Sequence, residues 1–257
     1  METKEPSCLL SVVTVNFNNR VGLEATLDSV RTVLGASGAG IDYEQIVVDG
    51  FSSDGSVEFL KSRLAVDARL RAHIDLDDGI YDAMNKGLRA AVGDWIYFLN
   101  SGDQVCDAGQ WRILSELLSE ETRAVSFCTS QTFRGDSYLR GGKESQLTRC
   151  ELIAHQGIVV PRHAYSGSRF RLDLGISADS SWICDVVRIA GVVPFKSVLA
   201  VFSLGGVSNR PTRRSLALAW SEGRSHFFKQ AFKWLVMRLL GERWAYRLFY
   251  LNKYERT

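Results

Sequence analysis

Short apolar runs alternate with helical stripes along the first hundred residues. Leu9 to Val15 (LLSVVTV) is apolar and rich in β-branched side chains, which predicts a buried strand. Asn16-Phe17-Asn18-Asn19 breaks it. Leu23, Leu27, Val30 and Leu34 then recur at the spacing of an amphipathic helix. Gly35 to Gly40 is a glycine-rich turn, and Tyr43 to Val48 predicts a second strand closing on Asp49-Gly50. Ser52-Ser53-Asp54-Gly55 supplies turn and cap groups for a helix faced by Val57, Leu60 and Leu64. Ile80, Met84, Leu88 and Ala91 form another stripe, ended by Gly93. Trp95 to Leu99 predicts a third strand, closed by Asn100-Ser101-Gly102-Asp103.

Beyond Asp103 the pattern loosens. Trp111, Leu114, Leu117 and Leu118 fit a helix, and Ala124 to Cys128 a strand. Arg134 to Lys143 is a polar loop. His155-Gln156 precedes an apolar strand, Gly157 to Val160. Asp179 to Ala190 predicts a helix and Val198 to Leu204 a strand, after which Gly205 and Gly206 turn the chain into a basic tail. The strand–helix rhythm of the first half is that of an α/β/α sandwich with a mostly parallel central sheet. Ligands of such sheets sit beyond the carboxyl ends of the strands. Three strands here end in polar clusters, Asn16 to Asn19, Asp49 to Asp54 and Asn100 to Asp103, which points to one site.

Composition narrows the class. With 46% hydrophobic and 23% charged residues, the 257-residue chain has an ordinary globular balance. Five widely spaced cysteines without a CxxC pair argue against structural zinc, and free thiols in a reducing compartment are expected. Met1 to Ser7 lacks the basic start of a secretory signal, and no apolar window is long enough for a membrane-spanning helix. The net charge of +2 hides an asymmetry, because residues 211–257 sum to +7 and the rest to −5. Two units are therefore expected: a catalytic-type domain over 1–210 and an amphipathic tail over 211–257.

The candidate chemistry lies at the strand ends. Asp103 is placed to hold a divalent cation against phosphates, and the same loop also suits a plain Asx turn. Asp49 suits hydrogen bonding to a base or ribose, and equally the capping of the next helix. Asp78, Asp82, Asn85 and Lys86 fall around the first turns of one helix, where Lys86 can meet phosphate as a point charge. Neither GxxxxGK[ST] nor a strand-borne GxGxxG occurs, which excludes a P-loop and leaves a dinucleotide site unsupported.

These segments taken together resemble family 2 glycosyltransferases, inverting enzymes of the GT-A fold. Val47 to Ser56 (VVDGFSSDGS) is similar to that family's VDGGSTDGT segment. Gly79 to Gly87 matches the GIYDAMNKG string of a bacterial branch acting in surface-polysaccharide and glycolipid synthesis. Trp95 to Asp103 resembles its version of the DxD element, His155-Gln156 its HQ element, Ile176 to Asp179 its (I/A)xAD element and Gly205 to Ser208 its GGxS element. The resemblance spans residues 9 to about 208. It implies donor contacts from Thr14, Asn16, Asp49, Asp78, Asn85, Lys86, Asn100 and Gln156. It further implies Asp103 as ligand of Mg²⁺ or Mn²⁺, Asp179 as catalytic base, and His155 near the acceptor or the departing diphosphate. The chain departs from the pattern at Phe51, where glycine is usual. Asn100 and Gly102 stand where a fuller motif has carboxylates, and Ser180-Ser181 where Tyr-Asp is usual.

In the tail, Phe228, Phe232, Leu235 and Leu239 lie at helical spacing, with Trp234, Lys229, Lys233, Arg243 and Arg247 around them. That composition suits a helix in a membrane interface, and also a helix packed on the domain with a solvated basic face. The expectation is thus an inverting transferase on the cytoplasmic face of the membrane. It would move a sugar from a UDP- or GDP-sugar to a lipid-linked or glycolipid acceptor, with no nucleic-acid partner. A degenerate scaffold subunit and a nucleotidyltransferase stay open as alternatives.

Overall fold

Leu10–Asn16 forms β1, and every one of its seven residues is buried. Its alternation sorts the layers. Val13 and Val15 face one apolar cluster, while Leu10 and Val12 face another on the opposite side of the sheet. The computed structural model describes residues 9–133, 136–140, 150, 153–203, 228, 231–232, 234–239, 241 and 255–256.

The elements follow in order: α1 (Arg20–Leu34), β2 (Tyr43–Asp49), α2 (Ser56–Leu64), β3 (Leu70–Ile74), α3 (Ile80–Ala90), β4 (Trp95–Phe98), β5 (Gln104–Val105) and α4 (Ala108–Glu120). Then come β6 (Ala124–Phe133), β7 (Asp136–Arg140), a 3-10 turn at His155–Gly157, β8 (Ile158–Pro161), α5 (Arg162–Tyr165), α6 (Ala178–Ala190), β9 (Val192–Ser203) and β10 (Glu255–Arg256). The sheet runs β10-β7-β6-β8-β4-β1-β2-β3, with β9 beside β6 and β5. Its β4-β1-β2-β3 portion is parallel, as the pattern predicts. β8 then pairs antiparallel with both β4 and β6, so the complete sheet is mixed.

β3 was absent from the sequence reading. Its burial alternates and among the described residues it pairs only with β2, so as an edge strand it lacks the continuous apolar run that marks β1 and β2. The strand read from Val198 begins earlier, at Val192, because register shifts against β6 accommodate the polar stretch around Lys196.

α3 and α6 cover one face. Met84 and Leu88 from α3 meet Trp182, Ile183 and Val186 from α6 over Ile96 and Phe98. Phe170 stacks on Trp182 at 4.8 Å, and Phe98 meets Trp182 edge-on at 5.4 Å. This aromatic group underlies the first turns of α6, and truncating Trp182 to alanine would cost about 3–5 kcal/mol.

Cys150 and Cys184 form a disulfide, which corrects the expectation of free thiols throughout. α6 packs back over the segment leading to His155 and brings the two Cα atoms to 5.2 Å, a span a disulfide closes. Among the described residues, Cys106 and Cys128 are not in a disulfide. Cys8, the Gly205–Ser208 element and most of the tail, including Lys229, Lys233, Arg243 and Arg247, lie outside the described residues. Of the 134–149 stretch only 136–140 is described, as β7. Among the described tail residues, Phe228, Phe232, Leu235 and Leu239 are exposed and Val236 is buried. Among the described residues no helix is long and apolar enough to cross a membrane.

Candidate active site

Parallel register sets Asn16 directly beside Asp49 at the carboxyl ends of β1 and β2. Asn16 Nδ2 donates to Asp49 Oδ2 at 2.6 Å. Asp49 also accepts from the Ser52 N–H at 2.7 Å and from Ser52 Oγ at 2.9 Å. Ser52 Oγ in turn accepts from the Asn18 N–H at 2.8 Å, and Asn18 Oδ1 accepts from the Ser53 N–H at 2.8 Å. The two loops are therefore laced together. Because the carboxylate takes the amide NH₂ group, Asn16 Oδ1 is left buried with no partner. Gly50 fits this junction because a Cβ there would lie 2.7 Å from Asp77 Oδ2 and 3.1 Å from the Phe17 ring.

The second part of the site grows from the loop after β4. Thr26, fully buried on α1, pins this loop: its hydroxyl donates to Asp103 O at 2.7 Å and accepts from the Gly102 N–H at 2.9 Å. Asn19 Nδ2 adds a bond to Ser101 O at 3.0 Å. Gln156 Nε2 donates to Asp103 Oδ2 at 3.0 Å, and Tyr97 Oη holds Gln156 by its carbonyl at 3.1 Å. Burial pushes the Asp103 carboxyl up to about 6, against the opposing pull of the Gln156 hydrogen bond and of His155.

His155 stands between the two halves. Its Nε2 is 3.0 Å from Asn100 Nδ2, and its Nδ1 is 3.7 Å from Asp179 Oδ2. With the Asn100 amide in this orientation, NH₂ donates and Nε2 accepts, so the neutral ring carries its proton on Nδ1, facing Asp179. Asn100 Oδ1 is left buried and unpartnered. Asp179 lies in the first turn of α6, where the helix N-terminus favours a carboxylate. It keeps about a quarter of its side chain exposed, enough to meet a second molecule.

The structure thus gathers Asn16, Asp49, Asn100, Asp103, His155, Gln156 and Asp179 at one end of the sheet. Three of the expected donor-side residues are also bonded within the protein. Asp49 is fully buried and accepts from Asn16 and Ser52, so it shapes the pocket through them. Thr14, expected to line the pocket through its backbone, has a fully buried side chain that accepts from Gln45 Nε2 at 3.2 Å. Asn85 clamps the Phe170 backbone, donating to its carbonyl at 2.9 Å and accepting from its N–H at 2.8 Å. Lys86 reaches the Leu76 carbonyl and Asp82, and Asp78 is exposed ahead of α3. Thr26, Ser52 and Tyr97 were missed in the sequence. Their polar atoms act across 77, 34 and 59 positions, respectively, and no local pattern marks such partners. Tyr81 was missed as well: its hydroxyl meets the Asp179 backbone, and burial raises its pKa.

A separate cavity of about 400 Å³ is lined by Asp82, Asn85, Arg89 and Arg169 to Asp173. It holds none of Asp49, Asp103, His155 or Asp179. Among the described residues, no three His, Cys, Asp or Glu side chains converge as a ready-made metal cluster. Mg²⁺-type ions take one or two carboxylates and complete their shell with substrate phosphates. The buried Asp103 carboxylate, with the unpartnered Asn100 Oδ1 in the same loop, fits that donor set.

The backbone trace around the site departs from ordinary geometry. Asn18, Phe51 and Asp107 have positive φ, at 49°, 63° and 59°. Such a conformation costs a side-chain-bearing residue about 1–2 kcal/mol.

The sequence profile described as glycosyl transferase family 2 matches residues 11–172, more than half of the chain. The chain belongs to this family. An uncharacterized glycosyltransferase of Mycobacterium tuberculosis is 30% identical over 209 residues, covering 78% of this chain and 77% of that protein. A PGL/p-HBAD biosynthesis glycosyltransferase of Mycobacterium bovis is 34% identical over 158 residues, covering 60% of this chain and 59% of the other. The fold of this family 2 chain is shared with S. aureus TarS 1–349 in complex with UDP-GlcNAc (TM-score 0.63, 12% identity, 94% of this chain and 76% of that one). It is shared too with the Pyrobaculum calidifontis mannosyltransferase PcManGT in complex with GDP-Man and Mn²⁺ (TM-score 0.57, 15% identity, 87% and 64%). The family 2 chain is therefore a glycosyltransferase with the GT-A type of α/β sheet, and the nucleotidyltransferase alternative falls away.

Proposed function

We propose that this enzyme transfers one sugar, with inversion, from a UDP- or GDP-sugar to a lipid-linked saccharide or glycolipid acceptor at the inner face of the cell membrane. The observation that carries the reading is the chain Asn100–His155–Asp179 set beside the buried Asp103–Gln156 pair. The bound UDP-GlcNAc and GDP-Man of the structural neighbours, and the PGL/p-HBAD biosynthesis named for the M. bovis relative, agree with it.

The mechanism follows from the placement of the groups. The acceptor hydroxyl sits at Asp179, and as its oxygen attacks the anomeric carbon from the face opposite the diphosphate, its proton passes to the Asp179 carboxylate. The new C–O bond forms as the bond to the diphosphate oxygen breaks, so the anomeric centre inverts without a covalent enzyme intermediate. His155 sets its Nδ1 edge 3.7 Å from Asp179, close enough to act on the carboxylate electrostatically, and Asn100 holds the ring in that tautomer. Gln156 and Thr26 fix Asp103, which together with Asn100 Oδ1 would hold Mg²⁺ or Mn²⁺. Such an ion, when bound, neutralises charge on the leaving diphosphate. The exposed stripe Phe228, Phe232, Leu235 and Leu239, with the tail's basic excess, supports a peripheral membrane contact beside the acceptor.

A panel of UDP- and GDP-sugars, with Mn²⁺ and a lipid-linked acceptor, tests this through nucleotide release. One donor should turn over, and a chelator should abolish its turnover. Turnover of none, or full turnover in chelator, would remove the reading or its metal, respectively.

A further inference from the structure

We propose that Phe51 is an aromatic wall of the nucleobase subsite, held in a strained backbone conformation for that purpose. This rests on the nucleotide-sugar reading above and adds a residue that sets donor recognition.

Three described residues other than glycine have positive φ, and two of them have a local reason. Asn18 and Asp107 are of the types that tolerate this region, and each is held by its own side chain. Asn18 Oδ1 accepts from the Ser53 N–H at 2.8 Å, and Asp107 Oδ1 caps α4 through the Gln110 N–H at 3.0 Å. Phe51, at φ 63°, has no polar atom with which to do the same. Burial does not compensate either, because the residue is 64% exposed. A bulky aromatic in a left-handed turn with its ring in solvent gives the folded chain nothing in return, and such outliers gather at ligand sites.

The surroundings hold the strain. Gly50 N–H donates to Asn16 O at 3.0 Å on one side of Phe51, and Ser52 is bonded to Asp49 and Asn18 on the other. The turn is clamped at both ends, so its backbone is fixed. Phe17, across the junction with its ring edge over Gly50, is also 67% exposed. Two exposed aromatics therefore flank a pair of loops whose floor holds one buried, unpartnered acceptor, Asn16 Oδ1. An apolar face with a single acceptor beside it is complementary to a heterocyclic base, which has a π-face and a ring N–H.

The experiment measures the Kd of UDP and of GDP by calorimetry with Mn²⁺ on the full-length chain, as wild type, Phe51→Gly and Phe51→Asn. Inorganic pyrophosphate serves as the probe without a base. Both replacements suit a left-handed turn, so the melting temperature should stay level or rise. Affinity for the nucleotide that the wild type binds should fall roughly 5- to 150-fold, the range for removing one aromatic from a stacked base. Pyrophosphate affinity should hold. Nucleotide affinity within twofold of wild type in both variants would overturn the proposal while leaving the donor reading intact. Loss of binding to anionic vesicles with unchanged nucleotide affinity would also overturn it, assigning the ring to the membrane. Wild type that binds neither nucleotide would overturn the donor reading and this proposal with it.

Discussion

The two ends of the parallel strands are built differently. At the amino end, Glu44 on β2 accepts from Ser11 Oγ at 2.6 Å, the Val92 N–H at 2.8 Å and Arg71 at 2.7 Å. Gly93 N–H closes the set on Ser11 Oγ at 2.7 Å. Burial alone would raise the Glu44 carboxyl, but these hydrogen bonds and the Arg71 charge hold it below its usual range. At the carboxyl end, Asn16 Oδ1 and Asn100 Oδ1 are buried without partners, Asn18 and Phe51 sit in left-handed turns, and Asp103 is pushed up to about 6. One end uses its polar groups to hold the sheet together. The other leaves acceptors and strain in place, as expected where a ligand completes the structure.

Substitutions on the two sides should therefore behave oppositely. The largest effect is expected for Asp179→Asn, which keeps shape but cannot take the acceptor's proton. Turnover should drop at least ~100-fold with nucleotide binding retained, within the range for loss of a general base. Near-normal turnover would move the base elsewhere, with His155→Ala as the next variant to assay.

Asp103→Asn should abolish the response to Mn²⁺ while making the chain more stable at pH 7.5. Burial pushes the folded carboxyl from its ordinary 3.8 up to about 6, so the folded state takes up its proton first. Wild-type stability should rise as pH falls through about 6 towards 4, and the burden of the buried charge is full above that window. That burden amounts to at most about 3 kcal/mol. Thermal melts of both forms in chelator, between pH 5 and 8, check this, and equal pH slopes would refute it.

Glu44→Gln, at the amino end, should do the reverse. Its lowered carboxyl contributes stability that is present above the unfolded value near 4.5 and lost as pH falls through the folded one. The variant should lose about 1–3 kcal/mol at neutral pH with turnover per folded molecule unchanged. A drop in turnover without a drop in melting temperature would mean that the two ends are not separable in this way.

How much of this was legible in the sequence follows the same divide. β1, β2 and β4 were readable because they are buried on both faces and so form continuous apolar runs. β3 was not, because an edge strand with alternate residues exposed has no such run. The site's members were legible as strand-end polar clusters and through the family resemblance, but their partners were not. Asn85 read as a donor ligand from its place in the GIYDAMNKG string. Its side chain binds Phe170, 85 positions on, and only the packing of α3 shows that. His155 and Asp179 are 24 residues apart, and the Cys150–Cys184 bridge that brackets them was read as two free thiols.

Hydrogen–deuterium exchange of the full chain with and without the nucleotide that it binds, in Mn²⁺, tests the contrast most directly. Protection should appear in residues 16–19, 49–54, 100–103 and 155–157, and the segments around Ser11, Glu44 and Gly93 should exchange as slowly with nucleotide as without it. Protection centred on the amino end, or on the Arg169 to Asp173 cavity with the strand-end loops unchanged, would contradict the account.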